Sequence, residues 1–153
     1  MPARRRIGMP RVYESAVINA PIGDVWKVTR DYNALPRWNP AIGGSELEGG
    51  EGVGCVRHIT FRDGGRAAER LLGLSDDEHS VTYEFLDSPL AVANYKATLR
   101  FTEITVSGET FAEWSGFYDD TNLARRKESA AVLRQVFRGG LMRLQEIMRD
   151  RKR

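Results

Sequence analysis

The stretch from Leu123 to Arg149 places apolar residues at Leu133, Val136, Phe137, Leu141, Leu144, Ile147 and Met148. This i, i+3, i+4, i+7 recurrence gathers one stripe on a helix of 3.6 residues per turn. The spacing predicts a single amphipathic helix, roughly 40 Å long at about 1.5 Å per residue. Its other face is basic, with Arg125, Arg126, Lys127, Arg134, Arg138, Arg143 and Arg149. A stripe of that length must be buried against something, and the preceding hundred residues are mainly alternating and strand-like. The expected fold is therefore α+β, a curved antiparallel sheet wrapped around the helix. Gly139 and Gly140 interrupt the stripe, at about 1 kcal/mol each relative to Ala. They signal either close packing of the helix or room for a ligand between helix and sheet.

A chain of 153 residues is long enough to bury a core without disulfides. Cys55 is the one cysteine, so no internal bridge can form. No signal-peptide core follows the basic start, and a reducing cytoplasm is the expected location. No apolar run approaches the roughly 20 residues of a membrane span, which argues against membrane insertion. The net charge is +2, but Arg4, Arg5, Arg6, Arg11, Arg149, Arg151, Lys152 and Arg153 crowd the ends. The body between them is acidic, which is poor support for nucleic-acid binding. Residues 1–10 read as a flexible basic leader, with Met9 as an alternative start, residues 11–150 as one domain and 151–153 as a basic tail.

Arg11 to Asn19 reads as a first strand, and Ala20-Pro21 opens a helix over about Pro21 to Arg30 that buries Val25, Trp26 and Val28. Leu35 to Pro40 is a Pro-punctuated connection with room for one helical turn, bringing Trp38 back to the domain. Gly43 to Gly54 reads as a glycine-rich hairpin turn. It is no dinucleotide fingerprint, because a strand follows it where that motif requires a helix. Five strand-like segments then run without an intervening helix, at 54–61, 65–74, 79–87, 94–104 and 109–118, the pattern of an antiparallel meander. Period-two alternation turns Val81, Tyr83 and Phe85, then Tyr95, Ala97, Leu99 and Phe101, toward the helix. In the last strand the Trp114 face is inward, since the other choice would bury Glu113 without a partner.

One hairpin carries candidate chemistry. Arg57 shares the parity of Cys55, Ile59 and Phe61 and so points inward. If Arg62-Asp63-Gly64 forms a three-residue loop with Gly64 in the left-handed position, Phe61 faces Gly65 and Arg57 faces Glu69. A two-residue Asp63-Gly64 turn would put Glu69 on the opposite face. A buried Arg-Glu pair is seldom a net stabiliser, and desolvation against a nearby cation makes a carboxylate of tunable basicity. The plainer alternative is an ion pair at the sheet rim reaching solvent. His58 and His79 face outward or lie in a turn, with no companion at metal-ligand spacing. No metal or cofactor is expected, and Asp76-Asp77-Glu78 reads as a solvated turn.

Ile18-Asn19-Ala20-Pro21 with Val25-Trp26, and Trp38-Asn39-Pro40, set in the order strand, helix, meander, long helix, resemble the polyketide cyclase/dehydrase and lipid-transport family. That family belongs to the START-type, helix-grip superfamily abbreviated SRPBCC. Gly54-Cys55-Val56-Arg57, Ala68-Glu69-Arg70-Leu71, Ser80-Val81-Thr82-Tyr83-Glu84 and Asn94-Tyr95-Lys96-Ala97-Thr98 are similar to its lachrymatory factor synthase branch. The resemblance implies a helix-grip domain of about seven strands, with one or two short helices after the first. It implies a cavity for a small apolar, polyketide-like or lipid-like molecule. Arg57 and Glu69 would be its catalytic pair and Tyr95 a pocket residue; Phe61, Tyr83, Phe85 and Trp114 complete the expected ligand wall. The activity would be that of a metal-independent cyclase, dehydratase or isomerase, and the alternative is a carrier or sensor of a hydrophobic ligand.

Overall fold

The computed structural model describes residues 11–151; the arginine tract at 4–6, the candidate start at Met9 and the last two residues of the basic tail lie outside them. Strand β1 (Val12–Ile18) is followed by helix α1 (Ile22–Thr29), a 3-10 turn at Tyr32–Ala34 and the single helical turn α2 (Leu35–Trp38). Six strands then follow: β2 (Ile42–Glu48), β3 (Val56–Phe61), β4 (Arg66–Ser75), β5 (Ser80–Asp87), β6 (Val92–Glu103) and β7 (Thr110–Asp120). Helix α3 (Arg126–Arg151) closes the chain. All seven strands form one antiparallel sheet in the order β1-β7-β6-β5-β4-β3-β2. The expected α+β architecture, a long C-terminal helix held by a seven-stranded sheet, is the one observed.

The side of α3 that meets the sheet is the one its spacing dictates. Leu133, Phe137, Leu141, Leu144 and Met148 are buried, with Val136 and Ile147 partly covered at the margins. They share one core with Val81, Tyr83, Ala97, Leu99, Phe101, Ala112 and Trp114, the inward faces of β5, β6 and β7. Each of these strands alternates because successive side chains leave a pleated strand on opposite faces.

Two expectations need correction, the bounds of the long helix and the nature of the glycine-rich segment. The long helix does not begin at Leu123: Leu123–Arg125 is a 3-10 turn that Asn122 caps by accepting from the Ala124 amide. At its other end the helix runs on to Arg151, which pairs with Asp24 at 2.7 Å instead of joining a free tail. The glycine-rich segment is not all turn, since β2 occupies Ile42–Glu48 and pairs with β3. Gly43 and Gly44 hide this strand from a propensity reading, and a register shift beside them breaks its alternation;. The turn after β4 is exposed at Asp76, Asp77 and Glu78, as expected of a solvated turn, and it also makes a tie. Asp76 accepts from Trp26 Nε1 at 2.7 Å and from Arg30 Nε at 2.9 Å, which ties α1 to the sheet.

Of the paired glycines, Gly140 is the one held by close packing, since a Cβ at Gly139 would meet only Pro40 Cγ at 3.6 Å. A Cβ at Gly140 would lie 3.0 Å from both Asn39 Nδ2 and the Trp114 ring and 3.1 Å from the Trp38 ring. Asn39 Nδ2 also donates to the Val136 carbonyl at 3.1 Å. At Gly140, then, the missing side chain lets α2 and the sheet approach the helix, and no ligand space opens there.

Candidate functional site

The hairpin β3-β4 brings the two candidate charges together. Phe61 N donates to Gly65 O at 2.7 Å and Gly64 N to Phe61 O at 2.9 Å, with Gly64 at φ +98°. This is the three-residue loop, and its register pairs Arg57 with Glu69. Both residues are about 95% buried, so the pair is not at a solvent-reaching rim.

Arg57 donates to Glu69 Oε1 twice, from Nη2 at 2.7 Å and from Nε at 3.0 Å. Its remaining terminal nitrogen, Nη1, donates to the Tyr32 carbonyl at 2.8 Å. The guanidinium lies 3.8 Å from the centre of the Tyr32 ring and 5.3 Å from that of Tyr83, close enough for cation-π attraction;. Tyr32 Oη closes the arrangement by donating to the Glu69 carbonyl at 3.0 Å. Tyr32 is the residue that sequence reasoning missed. It sits in the 3-10 turn after α1, and nothing local in Asp31-Tyr32-Asn33 points to an arginine 25 positions away.

Burial raises the Glu69 carboxyl above the usual carboxylate range, and Arg57 pulls against that rise. For Arg57 burial acts downward, but Glu69 and the Tyr32 and Tyr83 phenols leave its proton held more firmly than usual. Burial also pushes the Tyr32, Tyr83 and Tyr95 phenols up, so all three keep their protons. Both bonds from Arg57 to Glu69 end on Oε1, which leaves Oε2 without a hydrogen bond from the cation.

Above the pair the wall is aromatic. Phe85 stacks on Tyr95 at 4.1 Å, Trp114 stacks on Phe137 at 4.6 Å, and Trp114 Nε1 donates to Tyr83 Oη at 3.2 Å. Glu69, Phe61, Tyr83, Phe85, Tyr95 and Trp114 line one cavity, closed from the helix side by Val132, Leu133, Val136 and Phe137. Arg57 lies behind Glu69 and is absent from that lining. The cavity encloses only about 20 Å³, room for roughly one water molecule. The expected residues do line a cavity, but large rings meeting across the concave face leave it little volume. His58 is outward and bonds Glu48 at 2.6 Å, while His79 lies in the β4-β5 turn against the edge of Trp26. Among the described residues no three His, Cys, Asp or Glu side chains gather as metal ligands.

Comparison with known proteins gives this geometry its context. Residues 9–149 match the model of the family described as polyketide cyclase / dehydrase and lipid transport. The chain belongs to that family. Its members bind small hydrophobic ligands. The solved structure of the protein XoxI from Bacillus cereus is 30% identical and superposes with a TM-score of 0.84 over 93% of this chain and 97% of that one. Ginseng major latex-like protein 151 from Panax ginseng, 15% identical with a TM-score of 0.75 over 90% of this chain and 95% of that one, shares the fold alone. Abscisic acid receptor PYL7 of Arabidopsis thaliana is 26% identical over 96 residues, 61% of this chain and 46% of the receptor. The chain thus spans about half the length of that receptor. No helix of this family member is long and apolar enough to cross a membrane among the described residues.

Proposed function

We propose that the chain binds a small, mostly apolar molecule with one polar or ionisable group between α3 and the sheet, that group seated at Glu69. The observation that carries this reading is the ion pair. Two charges taken out of water at the back of an aromatic wall seldom repay their desolvation in stability, and a site for a polar group gives them a use. Where the ligand is a substrate, Glu69 Oε2 takes the proton, and Arg57 steadies the charge that develops. This is the chemistry of a cyclase, dehydratase or isomerase that needs no metal. The resemblance of the Arg57 and Glu69 segments to lachrymatory factor synthases supports the same two roles.

A second reading has its own support. The similarity to an abscisic acid receptor favours a carrier or sensor, in which the pair anchors the ligand and nothing is turned over. In both readings the aromatic wall must part for the ligand, because the resting cavity holds about a water's volume. Native mass spectrometry of the purified chain tests binding, with a retained small apolar molecule expected. The Glu69→Gln variant then separates the readings. An enzyme loses turnover of that molecule while affinity stays within about tenfold; a carrier returns the molecule unmodified in both forms. A chain that retains nothing and whose Tm is unmoved by any member of an apolar acid and polyketide panel would overturn both.

A further inference from the structure

A groove lies beside the first turns of α3, lined by residues other than those of the cavity. Arg11 at the start of β1, Tyr118 near the end of β7, and Arg126, Lys127, Ala130 and Arg134 of α3 line it, around about 620 Å³. Four of these six residues are cations and none is an acid.

Some cations on or beside α3 are matched: Arg125, just before the helix, pairs with Glu128, Arg143 with Glu146 and Arg151 with Asp24, while Arg138 and Arg149 have no carboxylate at ion-pair distance among the described residues. In the groove the balance fails. Arg11 and Arg126 both turn to the single oxygen Oδ2 of Asp120. Lys127 and Arg134, both exposed, have no carboxylate at ion-pair distance among the described residues. The ten residues before Arg11 contain no Asp or Glu. Arg134 and Arg138 repel at i, i+4, and Arg126 and Lys127 occupy the first turn of α3, where the helix dipole disfavours cations. These placements oppose local stability and concentrate positive charge in one concave place, the arrangement that draws an anion.

We propose that this groove binds a phosphate-type oxyanion, either free or as the headgroup of a larger molecule. Arg11 is already held for the task. Its Nη2 bonds Asp120, its Nη1 donates to the Tyr118 carbonyl at 3.4 Å, and its guanidinium lies 5.0 Å from the centre of the Tyr118 ring. Asp120 and Tyr118 position that fork, and Lys127 and Arg134 close on the anion from the helix, since guanidinium and ammonium donors suit phosphate oxygens. The groove and the cavity share no lining residue, so this proposal stands or falls apart from the one above.

Titration of the full chain with inorganic phosphate at low salt, followed by amide NMR, is the test. Saturable shifts at Arg126, Lys127, Ala130 and Arg134 are expected. The double variant K127A/R134A should weaken binding by roughly tenfold or more, while R143A/R149A, which removes the same charge outside the groove, should leave it nearly unchanged. Vesicles of phosphatidic acid, set against phosphatidylcholine, form the second arm. Groove shifts with phosphatidic acid alone assign the site to a lipid headgroup, and shifts with inorganic phosphate assign it to a free anion. Absence of saturable shifts in both arms, or equal weakening by the two double variants, overturns the proposal. Shift mapping on the native chain holds whether or not a variant folds.

Discussion

Arg57 is held from three directions, by Glu69, by the Tyr32 carbonyl and by the faces of two tyrosine rings. Removing it leaves Glu69 buried beside uncharged rings. Arg57→Ala should therefore destabilise the fold by roughly 3 to 5 kcal/mol near neutral pH, measured by urea unfolding. The loss should be smaller in acid, where the stranded carboxyl can take a proton. Glu69 itself has a raised pKa in the folded state, so its contribution to stability is complete below the unfolded value of about 4.3. That contribution is lost as pH climbs through the raised value. Measured as Tm against pH, the native chain should lose ground to Glu69→Gln above about pH 4; a constant gap would remove the shifted carboxyl. Tyr32→Phe deletes one bond, from Tyr32 Oη to the Glu69 carbonyl, and should cost about 1 kcal/mol, while Tyr32→Ala also removes the ring beneath Arg57 and should cost more. The register of Arg57 and Glu69 is half legible in the sequence: Gly64 suits a left-handed turn position, but a two- and a three-residue turn both use it, and the observed bond from Phe61 N to Gly65 O decides between them;. Tyr32 is not legible, since its contacts join segments whose distance in space no local pattern encodes.

Among the elements, α3 depends on a glycine as well as on its leucines. Gly140→Ala would place a methyl 3.0 Å from Asn39 and Trp114, and such overpacking should cost about 1 to 3 kcal/mol, even though Ala favours a helix. Leu141→Asp, at a position 2% exposed, should unfold the domain; a variant with an unchanged Tm would displace the helix from the core. The clamp on α1 is electrostatic. Arg30 first, and then Trp26, hold the Asp76 carboxyl below the usual range, so its contribution is present above the ordinary carboxylate pKa and lost as pH falls through the lowered one. The Tm gap between the native chain and Asp76→Asn should shrink in that acid window. Strand β2 shows where propensity fails: pairing with β3 holds Gly43 and Gly44 in a strand that their own preferences disfavour;.

At the scale of the molecule, the ligand reading and the closed core make one expectation together. A ligand of ordinary size has to part α3 from the aromatic wall, so binding should raise Tm and slow amide exchange along Val132–Phe137 and the strands facing it. An acidic body with cations gathered at its ends and in one groove should not hold a nucleic-acid duplex at physiological salt, which a salt titration of duplex binding would check. Periodicity by itself determined the long helix, the meander and the inward faces, because 3.6 and 2.0 residue repeats are properties of the chain before it folds. The sequence offered two turns at Asp63-Gly64, and the structure selected the three-residue loop that puts Arg57 opposite Glu69. Only the tertiary structure decided that Tyr32 lies beneath Arg57, that Gly140 is a contact and not a gap, and that the aromatic wall closes to about 20 Å³. These depend on how bulky side chains from distant segments share one volume, and packing of that kind is set by the assembled backbone, with no trace in the spacing of any single element.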